Sequence, residues 1–393
     1  MKRVFIAAFI SLPLFSYELD SNLLSIEQNS LFDAQLQKSL KERDFNQLSW
    51  ISPLNINLNR AWIKDYRFDK YNKQDSLNIS INQPIFRFGG IYYGIKLSSS
   101  RYKLSKLQIE SKRRELIATA VELLFNIKKL KLTISKLNLQ VKNADIEIKS
   151  LKELYSAGLS DSITLDTAIA KKQEANIALL DAKARLKELK ASFKKISSKD
   201  PESLKLPHLS LIDKDSFLKR DYNIKLAKAN VLVANDSLNV TKAKYYPSIV
   251  AGASYTKILT NTPPSIPKKQ LNYTLSINMP VSVNMFNDIE VAKYNRLISK
   301  LNSQIAKKNE LIDYNLVKDR LDIIDKKIQF AKREAFVYSK LLNSSKALYK
   351  AGQKSKMDIE LLENNVKIKR LDAKIYQIDK EIELLKLYKR VKQ

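Results

Sequence analysis

The sequence predicts a mainly α protein with some β: long coiled-coil helical hairpins plus four amphipathic strands. Three observations predict it. Apolar residues recur at coiled-coil spacing over very long stretches, four short segments alternate apolar and polar residues, and two unrelated motifs recur at nearly one offset. Composition agrees. The 393 residues hold only 6 Gly and 10 Pro, so turns are few and elements long. Hydrophobic residues at 44% and charged residues at 28% exclude wholesale disorder.

The absence of Cys excludes disulfides, thiolate metal sites, Cys nucleophiles and a lipid anchor on an N-terminal Cys. A single histidine, His208, excludes a His-cluster metal site and argues against most acid–base enzymes. No cofactor or metal is expected. Lys and Arg total 70 against 41 Asp and Glu, a net charge of +29 that calls for an anionic partner, nucleic acid or a membrane surface.

Residues 1–16 read as a secretory signal peptide. Lys2 and Arg3 precede the apolar run Val4 to Ile10, then Leu12, Leu14, Phe15 and a small Ser16. The apolar core is too short to span a bilayer of about 30 Å. The alternative is a buried N-terminal helix.

The remainder divides into two repeats, 17–205 and 206–393. Ser80-Ile81-Asn82 with Pro84 recurs as Ser276-Ile277-Asn278 with Pro280, an offset of 196. Leu154-Tyr155 with Ala157-Gly158 recurs as Leu348-Tyr349 with Ala351-Gly352, an offset of 194. Two motifs at nearly one offset mark a duplicated unit.

Strands are predicted within 53–88 and 245–284. Leu54, Ile56 and Leu58 face one way against Asn55, Asn57 and Asn59; Leu77, Ile79 and Ile81 oppose Asn78, Ser80 and Asn82. Tyr273, Leu275, Ile277 and Met279 oppose Asn272, Thr274, Ser276 and Asn278, while 245–255 alternates less cleanly, with Ile249, Ala251, Ala253 and Tyr255 on one face. Strands of about ten residues suit a tilted membrane barrel. Trp62, Phe86, Phe88, Tyr92, Tyr93, Tyr245 and Tyr246 near their ends fit an interfacial girdle. Alternation alone fits a soluble sheet with one wet face equally well; the signal peptide favours the membrane.

Helical hairpins are predicted at 91–196 and 286–391, with a further helix at 214–244. From Leu116 to Tyr155 the apolar positions advance in alternating steps of four and three, as they do from Tyr314 to Tyr349. That sustained 3.5 period demands coiled-coil packing. Helices of about 60 residues would run roughly 90 Å. Gly158 and Gly352 then fall at the hairpin tips, where a left-handed C′ residue ends a helix. Ser160 or Asp161 in one copy and Ser355 in the other can cap the restart. An ordinary helix–turn–helix connection explains these tips as well.

Four strands cannot enclose a lumen, and open sheet edges cannot face lipid, so membrane strands here would require several chains in one barrel.

These features together resemble the TolC-type outer-membrane efflux protein family. Ala243-Lys244-Tyr245-Tyr246-Pro247-Ser248 is similar to its helix-to-strand junction, and Gln83-Pro84 followed by Gly89-Gly90 to its strand-to-helix junction. The resemblance covers about residues 17–393. It implies a homotrimer whose strands form one transmembrane barrel in the outer membrane above a periplasmic helical tunnel. It also implies a passive channel whose partners are a periplasmic adaptor (membrane fusion) protein, an inner-membrane transporter and outer-membrane lipid, with no nucleic acid. The adaptor-contacting tips map onto Tyr155, Ala157, Gly158 and Leu159, and onto Tyr349, Ala351, Gly352 and Gln353. The periplasmic gate maps onto Asp358, as an acidic ring, and Lys354, as a bridging cation. Leu361 departs from the pattern where a second acidic ring can occur, and Thr164 takes the place of Asp358 in the first copy. Asp358 also reads as a solvated early-helix carboxylate.

The rival reading is an exported basic coiled-coil rod that binds an anionic polymer or nucleic acid. Lysines spread along every helix, and amphipathic strands with no role, oppose it. An enzyme is not expected: no nucleotide loop, zinc spacing or Ser-His-Asp set occurs, Asp379 and Glu383 read as an i,i+4 surface pair, and His208 sits in a linker.

Overall fold

The computed structural model describes residues 23–65, 70–260 and 267–391. The expected signal peptide at 1–16 lies outside the described residues. The elements run α1 (Ile26–Leu48), β1 (Asn55–Asp65), β2 (Lys70–Phe86), α2 (Gly90–Ser156), α3 (Ser162–Lys194), α4 (Lys214–Arg220), α5 (Tyr222–Ala243), β3 (Ser248–Ile258), β4 (Lys269–Asn278), α6 (Met285–Lys350) and α7 (Lys356–Tyr388). The paired hairpins match in length: α2 and α6 have 67 and 66 residues, and α3 and α7 have 33 each. Among the described residues no helix is long and apolar enough to cross a membrane.

The chain forms two compact units that cut across the sequence repeats: Met1–Leu31, Ser111–Asp221 and Leu311–Gln393 make one, Phe32–Glu110 and Tyr222–Glu310 the other. In the first unit the predicted seam residues Ala120, Ile127, Tyr314, Val317, Leu321, Ile328, Ala331 and Ala335 are buried. The α2–α7 contact carries a polar ladder beside this seam. Lys129 pairs with Asp379 at 2.6 Å, Lys136 with Asp372 at 2.7 Å, and Asn143 donates to Asn365 at 3.0 Å. Each step moves seven residues up α2 and seven down α7, so the 3.5 period is realised as an antiparallel pair in register.

Two readings need correction in this unit. Residues 214–244 are not one helix. Asp221 has an extended ψ of 130° and bridges Val391, so the segment breaks into α4 and α5. Asp379 and Glu383 are not a surface pair either. Glu383 is buried and receives Lys386 at 2.6 Å and Arg320 of α6 at 3.5 Å. His208 does lie in the linker, where its Nδ1 stands 2.6 Å from Glu381.

The second unit holds the sheet, in order β1-β2-β3-β4, antiparallel throughout, so β1 and β4 are open edges. α1, not foreseen in the sequence, ties to α2 here: Gln47 Nε2 donates to Ser99 Oγ at 3.0 Å, and Ser98 Oγ to the Arg43 carbonyl at 3.0 Å. A buried Asp236 on α5 accepts from Ser100 Oγ of α2 at 2.5 Å. The chain leaves β2 through Phe88 (φ 38°) and Gly89 (φ 86°), and Gly90 starts α2 close against Ala243. At the other junction Tyr245 is buried, and its hydroxyl donates to Asp288 at 2.7 Å. It therefore holds the α5–β3 corner to α6 and cannot serve in an exposed girdle, as the sequence reading had it.

Candidate functional site

The sheet has two chemically distinct faces. Register aligns Asn55, Ser80, Ser254 and Asn272 in one row, Asn57, Asn78, Thr256 and Gln270 in the next, and Asn82, Gly252 and Thr274 in a third. All are uncharged amides and hydroxyls around one glycine. A Cβ on Gly252 would collide with Thr274 Oγ1 and Asn82 Oδ1, so any larger residue there must push these polar side chains aside. The opposite face carries Ile56, Ile79, Tyr255 and Leu271 in one row, and Phe86, Ile249 and Ile277 in another. In the single chain this apolar face is open: Leu58, Tyr273, Leu275 and Ile277 are each more than 70% exposed. A water-soluble protein would leave no such surface uncovered.

The tips of the helical hairpins are in the other unit. α2 ends in a Schellman turn. The Leu159 N–H donates to the Leu154 carbonyl at 2.8 Å and the Gly158 N–H to the Tyr155 carbonyl at 3.0 Å. α6 ends identically, with Gln353 to Leu348 at 2.9 Å and Gly352 to Tyr349 at 2.9 Å. Gly158 and Gly352 have φ of 72° and 74°, the left-handed conformation predicted from the sequence, and nothing lies within 4 Å of where a Cβ would sit. Tyr155, Ala157, Leu159, Tyr349, Ala351 and Gln353 are all exposed around these turns.

The restarts differ in one respect. Asp161 caps α3, accepting from the Thr164 N–H at 2.7 Å. Ser355 caps α7 in a reciprocal box. Its Oγ accepts from the Asp358 N–H at 3.1 Å, while the Asp358 carboxylate accepts from the Ser355 N–H at 3.0 Å and from its Oγ at 2.9 Å. Each restart thus places one carboxylate at the helix start, on the cap itself in one copy and three residues after the cap in the other. The Thr164 hydrogen bonds hold Asp161 below the usual carboxylate range, and the Ser355 bonds, with Lys354 nearby, do the same for Asp358. Asp358 is therefore ionised at neutral pH and also has a structural role. The family resemblance singled out Asp358 but not its cap geometry, which the Ser355-to-Asp358 interval of three residues could have signalled.

Residues 33–196 match the family model described as outer membrane efflux protein. No curated protein matches the chain. Among solved structures, the outer membrane protein VceC of Vibrio cholerae is similar with TM-score 0.74 at 13% identity, covering 95% of each chain. The CmeC outer membrane channel of Campylobacter jejuni gives 0.73 at 15% identity over 94% of this chain and 84% of that one. The open MtrE outer membrane channel of Neisseria gonorrhoeae gives 0.66 at 17% identity over 94% and 87%. The first hairpin and the strands before it thus match the outer membrane efflux protein family model, and nearly the whole chain shares the fold of these outer membrane channels.

Proposed function

We propose that the protein is the passive, homotrimeric outer-membrane channel of a tripartite efflux or type I secretion system, docking a periplasmic adaptor and an inner-membrane pump through its helix tips. One observation carries this reading: a four-stranded sheet with two open edges, one neutral polar face and one exposed apolar face. In lipid, the unpaired backbone groups of β1 and β4 cost several kcal/mol each unless another chain pairs with them. Three copies of four strands close one barrel with the polar rows toward water and the apolar rows toward lipid.

The rod that binds an anionic polymer gives no role to the exposed apolar face. The test is direct. Purified protein in detergent runs as a trimer and gives discrete conductance steps in a planar bilayer; a water-soluble monomer without detergent overturns the reading.

The gate assignment adds a prediction. Three Asp358 carboxylates around a threefold axis form a negative constriction that cations enter and occupy. Because hydrogen bonding depresses the Asp358 pKa, its charge and its capping contribution are present above the ordinary carboxylate value and are lost as pH falls through the depressed one. Asp358→Asn keeps a carbonyl that can accept at the cap and removes only the charge. It is expected to raise conductance and weaken divalent-cation block in single-channel recordings. Traces identical to wild type remove Asp358 from the gate.

A further inference from the structure

We propose that the outward face of the sheet binds the phosphate groups of an outer-leaflet glycolipid at its hairpin end, through Lys257 and Lys269. The proposal rests on the channel reading above, which turns this face toward lipid.

Register makes the case. Lys257 of β3 lies directly opposite Lys269 of β4, and both stand on the apolar face, one step beyond the row of Tyr255 and Leu271. Like charges directly opposite one another in an antiparallel pair are destabilising, with Cα atoms only about 5 Å apart. Among the described residues neither lysine has an acidic partner. An anion between them removes the repulsion.

The surroundings repeat the pattern. Toward the hairpin ends the same face continues with Arg60 and Asp75, then Trp62 and Lys73, then Lys64 and Tyr71. Asp75 is the acid of this group, and Arg60 already holds it through bonds of 2.7 and 3.0 Å. Lys64 sits over the Tyr71 ring at 5.8 Å. Trp62 and Tyr71 are both strongly exposed, as interfacial aromatics are. At the helix end of the strands the corresponding row is Phe86, Ile249 and Ile277, with no charge.

The basic belt is therefore confined to one rim, the one joined by hairpin loops and remote from the helices. In the proposed channel the helices occupy the periplasm, so this rim meets the outer leaflet. Charges on a lipid face are tolerated only near the interface, where lysine stems lie along the hydrocarbon and the ammonium reaches the headgroup. Two lysines paired directly across the strands can share one doubly charged anion, and a phosphate monoester on a sugar headgroup is such an anion.

The structure also supplies the reporter. The chain has two tryptophans, Trp50 and Trp62, so Trp50→Phe leaves Trp62 alone, within the belt. The protein is reconstituted in brominated phosphatidylcholine, which quenches Trp62 wherever that face meets lipid. Unbrominated lipid A is then added as a minor component, with phosphatidylglycerol in a parallel series. Recruited lipid A displaces quencher, and emission recovers beyond the dilution line. The expected preference is about fivefold for each lysine engaged. Lys257→Gln with Lys269→Gln should return the recovery to the dilution line.

Wild-type recovery on the dilution line overturns the proposal, as does full recovery in the double variant. Equal recovery with phosphatidylglycerol overturns the assignment to a glycolipid phosphate. Absence of any quenching by bromolipid means that the face is not in lipid, and the channel reading fails with it. Quenching without recovery overturns only the headgroup site.

Discussion

Glutamate at both Ile323 and Phe330 is expected to yield a folded monomer that assembles no channel. The argument starts from spacing. α6 carries two apolar seams. The first, from Tyr314 through Leu321 and Ile328 to Ala335, is buried within the chain. The second is Leu316, Ile323, Phe330 and Val337, one residue every seven, and these side chains are 43 to 61% exposed. A heptad stripe of large apolar residues on a solvated helix is a coiled-coil seam awaiting its partner.

Within the same unit α3 offers a matching stripe. Ile163, Ala170, Ile177 and Ala184 recur at the same interval, and Ile163 and Ile177 are 74% and 58% exposed. In the proposed trimer one copy's α6 seam meets its neighbour's α3 seam. Each large side chain so covered contributes about 1.5–3 kcal/mol, and a closed ring of three loses that amount at every interface. Both substituted positions face solvent in the single chain, so circular dichroism should show undiminished helix content. Light scattering in detergent should show mass falling from trimer to monomer. A trimer that survives both glutamates disproves this seam as the contact between copies.

The seams explain how much of the fold the sequence disclosed. A 3.5-residue period identifies which helix face is buried, and that face was correctly read along α6; along α2 it holds at Ala120 and Ile127, but burial also takes in Ile117, Val121, Leu124 and Phe125 beside the stripe. It does not say against what. The ladder joining Lys129, Lys136 and Asn143 to Asp379, Asp372 and Asn365 links residues more than 200 positions apart, and no local pattern encodes the match. Alternation likewise exposed the two faces of each strand, but the alignment of Lys257 with Lys269 depends on hairpin register. Within 257–269 the two lysines look like ordinary loop flanks. α1 was missed because its sequence lacks a clean amphipathic stripe: Ile26 and Phe45 are more than 70% exposed, while Ser39 is buried. The break at Asp221 was missed because no Pro or Gly marks it; a tertiary contact, the bridge to Val391, imposes it. The tips were legible because a left-handed residue after a long helix is a local requirement that glycine meets without strain.

That requirement gives the second large prediction: Val at both Gly158 and Gly352 should abolish drug or substrate efflux while leaving the trimer intact. At φ of 72° and 74° a β-branched residue is a steric outlier, with a cost of order 1–3 kcal/mol at each tip. The space around each glycine is empty, so the cost comes from backbone conformation and not from collision. The strain cannot spread through packing, and each turn relieves it by unwinding. Unwinding breaks the paired bonds from Leu159 to Leu154 and from Gln353 to Leu348 and displaces the exposed Tyr155 and Tyr349 beside them. The proposed contact between copies uses α6 from Leu316 to Val337, which ends well before Gly352, and an α3 stripe that from Ala170 onward lies well beyond Gly158, so trimer mass and outer-membrane level should be unchanged. Cross-linking to the adaptor and the minimum inhibitory concentration of an exported compound measure the loss. Gly→Asn at the same positions is the control, because Asn tolerates the left-handed region and should retain most function. If the Val variant exports normally at normal abundance, the tips are plain helix connections, and the proposed docking through them fails.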